Sequence, residues 1–407
     1  MKAKNKASSS WVGYIFGLWL SGIFTASLSG NIMSGNKHNI VISGGQSNKL
    51  NMILLLVAIL WPLIYFPFSK HRFVPSRVYG STLVALILFL LFSFISIFFS
   101  AVMFMSTAYW LLTVASIWIA LQFSSSLDLK QLELGFKIYA VLLTGQMAGF
   151  AMWEYIPGIR LGEARRIVEP AMIGMICLSG IMTSMAIRWK IIRFSILAVL
   201  FFIVYLTGSR APTLAALFGV AIIFYLRSRA SKGMSQLGIF LLLLVGSVGA
   251  IQFLSDIVPF VEDFLGVNNK HRGIESGGSG RLGIWRETWQ LFVDNPIFGI
   301  GYRGHEARLT LGSSSHNGYL AVLAEIGIVG FCAIIFIIVS GILKLRVSLK
   351  KEKDKIYTYS IFYGICYSYL FLAIFERYMI NSGNPTSILF LVAVFWLAVK
   401  TKRESVE

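Results

Sequence analysis

Three groups of residues in this chain have the types and spacing to act on a hydroxyl or an anion. The first is His316-Asn317, which follows Gly312-Ser313-Ser314-Ser315 and opens an apolar run. An imidazole suits general-base work at neutral pH, and an enzyme that activates a hydroxyl needs such a group. A lone histidine at an interface can equally be a structural hydrogen-bonder. The other four, His38, His71, His271 and His305, sit in polar loops. The second group is Arg281, placed in the first turn of a predicted helix after Gly277-Gly278-Ser279-Gly280. Free backbone N–H groups and the helix dipole favour an anion there. The third is Thr207-Gly208-Ser209-Arg210-Ala211-Pro212, with a capping Ser209, an early proline and Arg210 in the first turn. The same pattern also describes an ordinary helix start beside an arginine that reaches to the interface.

Two further residues belong beside these. Arg166, in Arg165-Arg166-Ile167-Val168-Glu169-Pro170, is a weaker candidate for the same anion, with Glu163 and Glu169 offering a plain ion pair instead. Glu325 lies deep in the apolar run that His316 opens and must find a partner. Nine residues on is about half a helical turn out of phase, so Glu325 is not expected to orient the His316 ring. The sequence holds no Asp-x-Asp pair for a divalent ion, no phosphate-binding Gly-rich loop ending in Gly-Lys-Ser/Thr, no Cys/His metal cluster and no Gly-x-Ser-x-Gly. Phosphate handling would therefore fall to arginine, with no metal and no cofactor. Cys177, Cys332 and Cys366 lie in apolar runs without metal-ligand spacing and are assigned to packing.

The elements that must position these groups follow from composition. Of 407 residues, 56% are hydrophobic and 13% charged, and mean hydropathy is +0.73. A soluble domain carries about a quarter charged residues, so a cytosolic enzyme and a disordered chain are both excluded. The class is an all-α polytopic membrane protein in a single integral-membrane domain, 1–407. Apolar stretches long enough to span are read at 11–29, 50–68, 80–99, 103–123, 135–156, 170–187, 191–207, 211–226, 237–253, 317–340, 357–375 and 384–399. The first reads as a signal anchor.

Net charge is +18. In a membrane protein this is a topology signal and carries no implication of nucleic acid. With the N-terminus inside, the short basic loops, from Lys70, Arg72 and Arg77 to the Lys344–Lys355 run, all fall on the inner side. Both termini are then cytoplasmic. The outer loops favour arginine over lysine: Arg160, Arg165, Arg166, Arg210, Arg272, Arg281, Arg286, Arg303, Arg308 and Arg377. The positive-inside rule does not distinguish the two residues, whereas bidentate capture of phosphate oxygens favours the guanidinium fork. Snorkelling, or pairing with outer carboxylates, remains open for each of them.

One connection differs from the rest. Residues 254–315 form a long outer loop, and loops of that length are usually functional. Within it Leu282, Trp285, Trp289 and Phe292 fall on one helical stripe with Arg286 and Gln290 off it, which predicts an amphipathic helix at the membrane surface. Asp294-Asn295-Pro296 stops that helix, and Gly299 and Gly301 make the return turn.

These residues together resemble the bacterial O-antigen ligases and the related O-antigen and exopolysaccharide polymerases. The ligase pattern is His, then Asn, Ser or Gln, nine residues, then Gly-x-x-Gly/Thr/Tyr; His316-Asn317 and Gly327-Ile328-Val329-Gly330 fit it. Gly208-Ser209-Arg210, Ser279-Gly280-Arg281…Trp285 and Gly299-x-Gly301 follow in family order. The resemblance implies a GT-C-like glycosyltransferase of about twelve transmembrane helices in the bacterial inner membrane, with a periplasmic active site and a large periplasmic loop at 254–315. It would pass a glycan from undecaprenyl diphosphate to an acceptor hydroxyl in lipopolysaccharide biosynthesis, without metal. His316 looks like the base in that scheme, with Arg210, Arg281 and Arg166 as the diphosphate clamp and Ser209, Asn317 and Glu325 in support. The acceptor would be lipid A core in a ligase, which the complete His pattern favours, or the growing glycan in a polymerase. A lipid-linked glycan transporter is the remaining alternative; it would line several spans with polar residues that are not seen here.

Overall fold

The computed structural model describes residues 11–25, 53–54, 56–65, 80–159, 161, 190–207, 210–230, 281–310, 314–351, 356–377, 379–380 and 385–403. Among them, regular structure is helical and no strand occurs. The main helices are α1 (Trp11–Thr25), α2 (Gly80–Ile97), α3 (Met103–Ser126), α4 (Leu129–Glu154), α5 (Lys190–Leu206), α6 (Arg210–Ala230), α7 (Arg281–Asp294), α8 (Gly318–Lys351), α9 (Ile356–Leu372) and α10 (Pro385–Arg403). Helices α2 and α3, Lys130–Trp153 of α4 and Gly318–Leu343 of α8 are long and apolar enough to cross a membrane. Trp11–Thr25, Leu214–Arg227 and Ser387–Trp396 are shorter apolar segments. The all-helical membrane architecture thus stands, with four helices of spanning length among the described residues; the expected spans at 170–187 and 237–253 and loop residues 254–280 lie outside the described residues.

Sequence dictates how closely these helices approach. Gly13 and Gly17 of α1 face Gln131, Gly135 and Ile138 of α4, where a Cβ would strike backbone, so small residues let two helices cross nearly in contact. Phe16 and Trp19 then pack on Phe123, with ring centroids 5.2 and 4.9 Å apart. Aromatic burial continues through Phe362 and Trp396, stacked at 4.6 Å between α9 and α10.

Helix pairing decides which loops meet. Helix α2 runs along α8, with Thr82 Oγ1 3.5 Å from Ser340 Oγ, so the C-terminal end of α2 lies beside the N-terminal half of α8. Helix α6 runs antiparallel to α9: Arg227 Nε donates to Ser360 Oγ at 2.9 Å at one end, and Phe218 packs on Phe371 towards the other. Arg210 stands eight residues before Phe218, roughly 12 Å further along the axis. The start of α6 therefore shares an end of the bundle with the turn that follows α9. The connection α2–α3, the starts of α6 and α8, and the turn after α9 all gather there, the ones that alternating topology assigns to one side.

A single long span was expected over 317–340. Instead α8 is broken at Gly327, whose φ of 70° and ψ of −176° are not helical. The break frees backbone groups that apolar surroundings would leave unsatisfied. Residues 296–301 fill it: Ile300 N–H donates to the Ala324 carbonyl at 2.9 Å, Gly301 N–H to the Glu325 carbonyl at 3.2 Å, and Ile328 N–H to the Pro296 carbonyl at 2.8 Å. Gly299 and Gly301 make the predicted return turn at φ 69° and 115°, and a Cβ on either would collide with Glu325 or Ser100.

Candidate active site

Helix α7 begins at Arg281 and ends at Asp294, as the spacing predicts. Leu282 and Trp289 are exposed while Trp285 and Phe292 are partly covered, so the apolar stripe is offered outward along most of its length. Two contacts fix the helix to the segment before α8. Trp285 Nε1 donates to the Ser315 carbonyl at 2.8 Å, and Glu287 accepts from the Thr310 N–H at 2.7 Å.

Ser315, His316 and Asn317 form the turn into α8. Asn317 Oδ1 accepts from the Tyr319 and Leu320 N–H groups, both at 3.0 Å, so Asn317 is the helix cap. Gly318 N–H donates to the Ala373 carbonyl at 2.7 Å, and Tyr319 OH to the Leu370 carbonyl at 2.9 Å. These bonds dock the start of α8 on the end of α9 and bring the 373–377 turn against His316. Gly318 suits the tight approach there, since a Cβ would press on Met379 at 3.1 Å and push it back by a few tenths of an ångström.

The docked turn supplies the partner of the histidine. His316 Nδ1 lies 3.3 Å from Glu376 Oε2, with the imidazole about a third exposed and the carboxylate 4% exposed. Glu376 Oε1 is 3.4 Å from Arg281 Nη2, and Arg281 Nη1 donates to the Phe375 carbonyl at 3.1 Å. One buried carboxylate thus holds an imidazole on one oxygen and a guanidinium on the other. Two of the five guanidinium N–H donors are used by these contacts, and among the described residues the rest of the fork is left to meet an anion. With Nδ1–H directed at Glu376, His316 Nε2 is the ring atom left to accept a proton.

Beneath this layer lies a second, fully enclosed one. Arg377 donates through Nη1 to Glu306 Oε1 and through Nη2 to Glu325 Oε1. His305 Nδ1 meets the same Glu325 oxygen at 2.6 Å, and Ser315 N–H donates to His305 Nε2 at 3.3 Å. Burial, then the Arg377 charge, hold the His305 pKa below its usual value in spite of Glu325. Burial pushes the Glu306 carboxyl up, but Arg377 and Arg303 outweigh it and leave the pKa lowered. Nearby, Arg303 adopts a left-handed φ of 59° and lays its guanidinium over the Tyr109 ring at 4.6 Å.

Residues 194–335 match the family model described as O-antigen ligase. The ligase-family match contains Arg281, His305, Glu306, Glu325 and His316, and it stops short of Glu376 and Arg377, which complete both layers. No curated protein matches the chain.

Set against the sequence reading, the structure joins His316 and Arg281 through Glu376. Glu325 lies off the His316 ring, as its helical phase required, and finds its partner in Arg377. Arg210 opens α6 at the same end of the bundle. Arg166 and Ser209 lie outside the described residues. His305 needs correction: it sits in no polar loop but at the centre of the charge cluster, with no exposed surface. Glu376, Arg377 and Glu306 were missed as site residues. The demand of Glu325 for a cation in apolar surroundings was a usable signal for Arg377, which follows the apolar run 357–375 directly.

Proposed function

We propose that the protein is a membrane glycosyltransferase that moves a glycan from undecaprenyl diphosphate to an acceptor hydroxyl at the periplasmic face of the bacterial inner membrane. The match of residues 194–335 to the O-antigen ligase model favours the ligase role, with lipid A core as acceptor. His316 Nε2 takes the proton of the acceptor hydroxyl as its oxygen attacks the anomeric carbon, and the bond from that carbon to the diphosphate oxygen breaks. Undecaprenyl diphosphate leaves with the bonding electrons. Its developing charge is met by Arg281, with Arg210 and Arg166 proposed beside it, in a site where preorganised cations are worth more than in water. Glu376 keeps the imidazole in the tautomer that can accept a proton and stabilises the imidazolium formed. Three nearby carboxylates, Glu306, Glu325 and Glu376, are each committed to an arginine, which supports a reaction without a divalent ion.

The observation that carries this reading is Glu376 bridging His316 and Arg281, which sets a proton acceptor beside an anion-binding fork. The test is reconstitution with a lipid-diphosphate glycan and, in turn, lipid A core or a shorter lipid-linked glycan. A single block transfer to lipid A core is expected; chain extension without that transfer would make the enzyme a polymerase, and no transfer to either acceptor would overturn the proposal.

A further inference from the structure

We propose that His305 is a positioning residue for this transfer: its imidazole bridges Glu325 and the Ser315 N–H, and so sets the backbone from which His316 projects. This rests on the reading of His316 as the base.

The hydrogen bonds determine the protonation pattern of the bridge. His305 Nε2 accepts from the Ser315 N–H at 3.3 Å, so that nitrogen carries no proton. The proton is then on Nδ1, which donates to Glu325 Oε1 at 2.6 Å. The carboxylate is itself held by Arg377, which also grips Glu306. A continuous chain, Glu306–Arg377–Glu325–His305, therefore ends on the Ser314–Ser315 peptide, one peptide ahead of the one that enters His316.

The turn which that peptide opens needs holding. His316 has a φ of 47°, a left-handed conformation that a residue with a Cβ seldom takes unless its surroundings impose it. Every polar atom of Ser315 is engaged: its N–H by His305, its carbonyl by Trp285 at 2.8 Å, and its hydroxyl by the Asn317 carbonyl at 3.1 Å. Without His305 the carbonyl and hydroxyl contacts would leave the Ser315 N–H a buried orphan, and the turn would relax by rotating the Ser314–Ser315 peptide. Rotation there would swing the His316 ring away from Glu376. His305 also joins the two sequence motifs mechanically, because its turn, His305–Ala307, follows the Gly299/Gly301 loop that fills the break in α8.

A glutamine can place an acceptor oxygen and a donor nitrogen at about the spacing of the two ring nitrogens, whereas phenylalanine keeps the shape and loses both functions. The experiment measures kcat and the donor KM of His305→Phe, His305→Gln and His316→Ala, purified in detergent, with rates scaled to folded protein from thermal unfolding. The expected result is a fall in kcat of roughly ten- to a hundred-fold for His305→Phe, the size of effect a small misplacement of a catalytic group produces, with donor KM near wild type. His305→Gln should recover most of that loss. Wild-type kcat per folded molecule in His305→Phe, or equal loss in Phe and Gln variants, would overturn the assignment. If His316→Ala retains transfer, the reading of the base has failed instead, and the His305 comparison still reports whether the bridge matters.

Discussion

Glu376 Oε2 stands 3.3 Å from His316 Nδ1 across 60 residues of sequence, and the other oxygen of the same carboxylate faces Arg281 at 3.4 Å. Removing its charge should therefore disturb both. Glu376→Gln keeps the shape, loses the charge-assisted bonds, worth about 1.5–3 kcal/mol each, and should slow transfer by roughly ten- to a hundred-fold. Glu376→Asp, which withdraws the carboxylate by one methylene, should fall between. Initial rates at matched expression decide this, and a Gln variant as fast as wild type would detach Glu376 from the mechanism.

Gly327 allows a test of the helix break. A Cβ there would run into the Ile297 carbonyl, and the φ of 70° strains any other residue by about 1–3 kcal/mol before that clash is counted. Gly327→Ala should lower the melting temperature and the yield of folded protein, since Ile297 is backbone and cannot yield without dislodging the 296–301 segment. Gly330→Ala meets only the Ile326 side chain, at 2.7 Å, and should be milder. Thermal unfolding of both variants in one detergent makes the comparison; equal stability would mean that the loop does not depend on the break.

How much of this was legible without coordinates depends on range in sequence. The start of α7 at Arg281, its stop at Asn295-Pro296, the Gly299/Gly301 turn and the opening of α8 by His316-Asn317 are local, each dictated by capping, dipole or glycine chemistry within a few residues. The partners of those groups are not local. Glu376 reaches His316, and Arg377 reaches Glu306 and Glu325, only because Gly318 and Tyr319 dock α8 on the end of α9. The break at Gly327 was hidden for a related reason: the run 317–340 is apolar on either side of Glu325, and although Gly327 permits the interruption, the hydrogen bonds that stabilise it come from residues 296–301. His305 was misjudged from polar neighbours, since sequence polarity does not reveal that those neighbours are paired with one another inside.

Acid should loosen the cluster. The unfolded chain binds a proton at His305 near 6.5, whereas the folded protein, with its lowered pKa, resists until the pH is lower. Between those values the unfolded state holds more protons, so stability rises with pH and is lost as pH falls. Glu306, also lowered, adds a second loss of the same sign below 4.5. Melting temperature should therefore decline as pH drops through 6.5, and His305→Gln, which cannot take up that proton, should flatten the first part of the decline. An unchanged slope in the variant would show that other groups set it.

Arg281 separates a fork from a charge. If the side chain only reaches to the interface, lysine should replace it with little loss, because its ammonium reaches the same place. In the structure the guanidinium spans the Phe375 carbonyl and Glu376 with two nitrogens, a geometry that a single ammonium does not reproduce. A diphosphate would be gripped by the remaining N–H donors, and lysine would lose at least one charge-assisted bond in the transition state. Arg281→Lys should then slow transfer by about ten- to a hundred-fold, nearly as much as Arg281→Ala. Arg286, exposed on the same helix, makes the control: Arg286→Lys should keep most of the activity. Initial rates for the three variants at matched folded protein decide between the two roles, and equal tolerance of lysine at 281 and 286 would leave Arg281 as an interfacial cation.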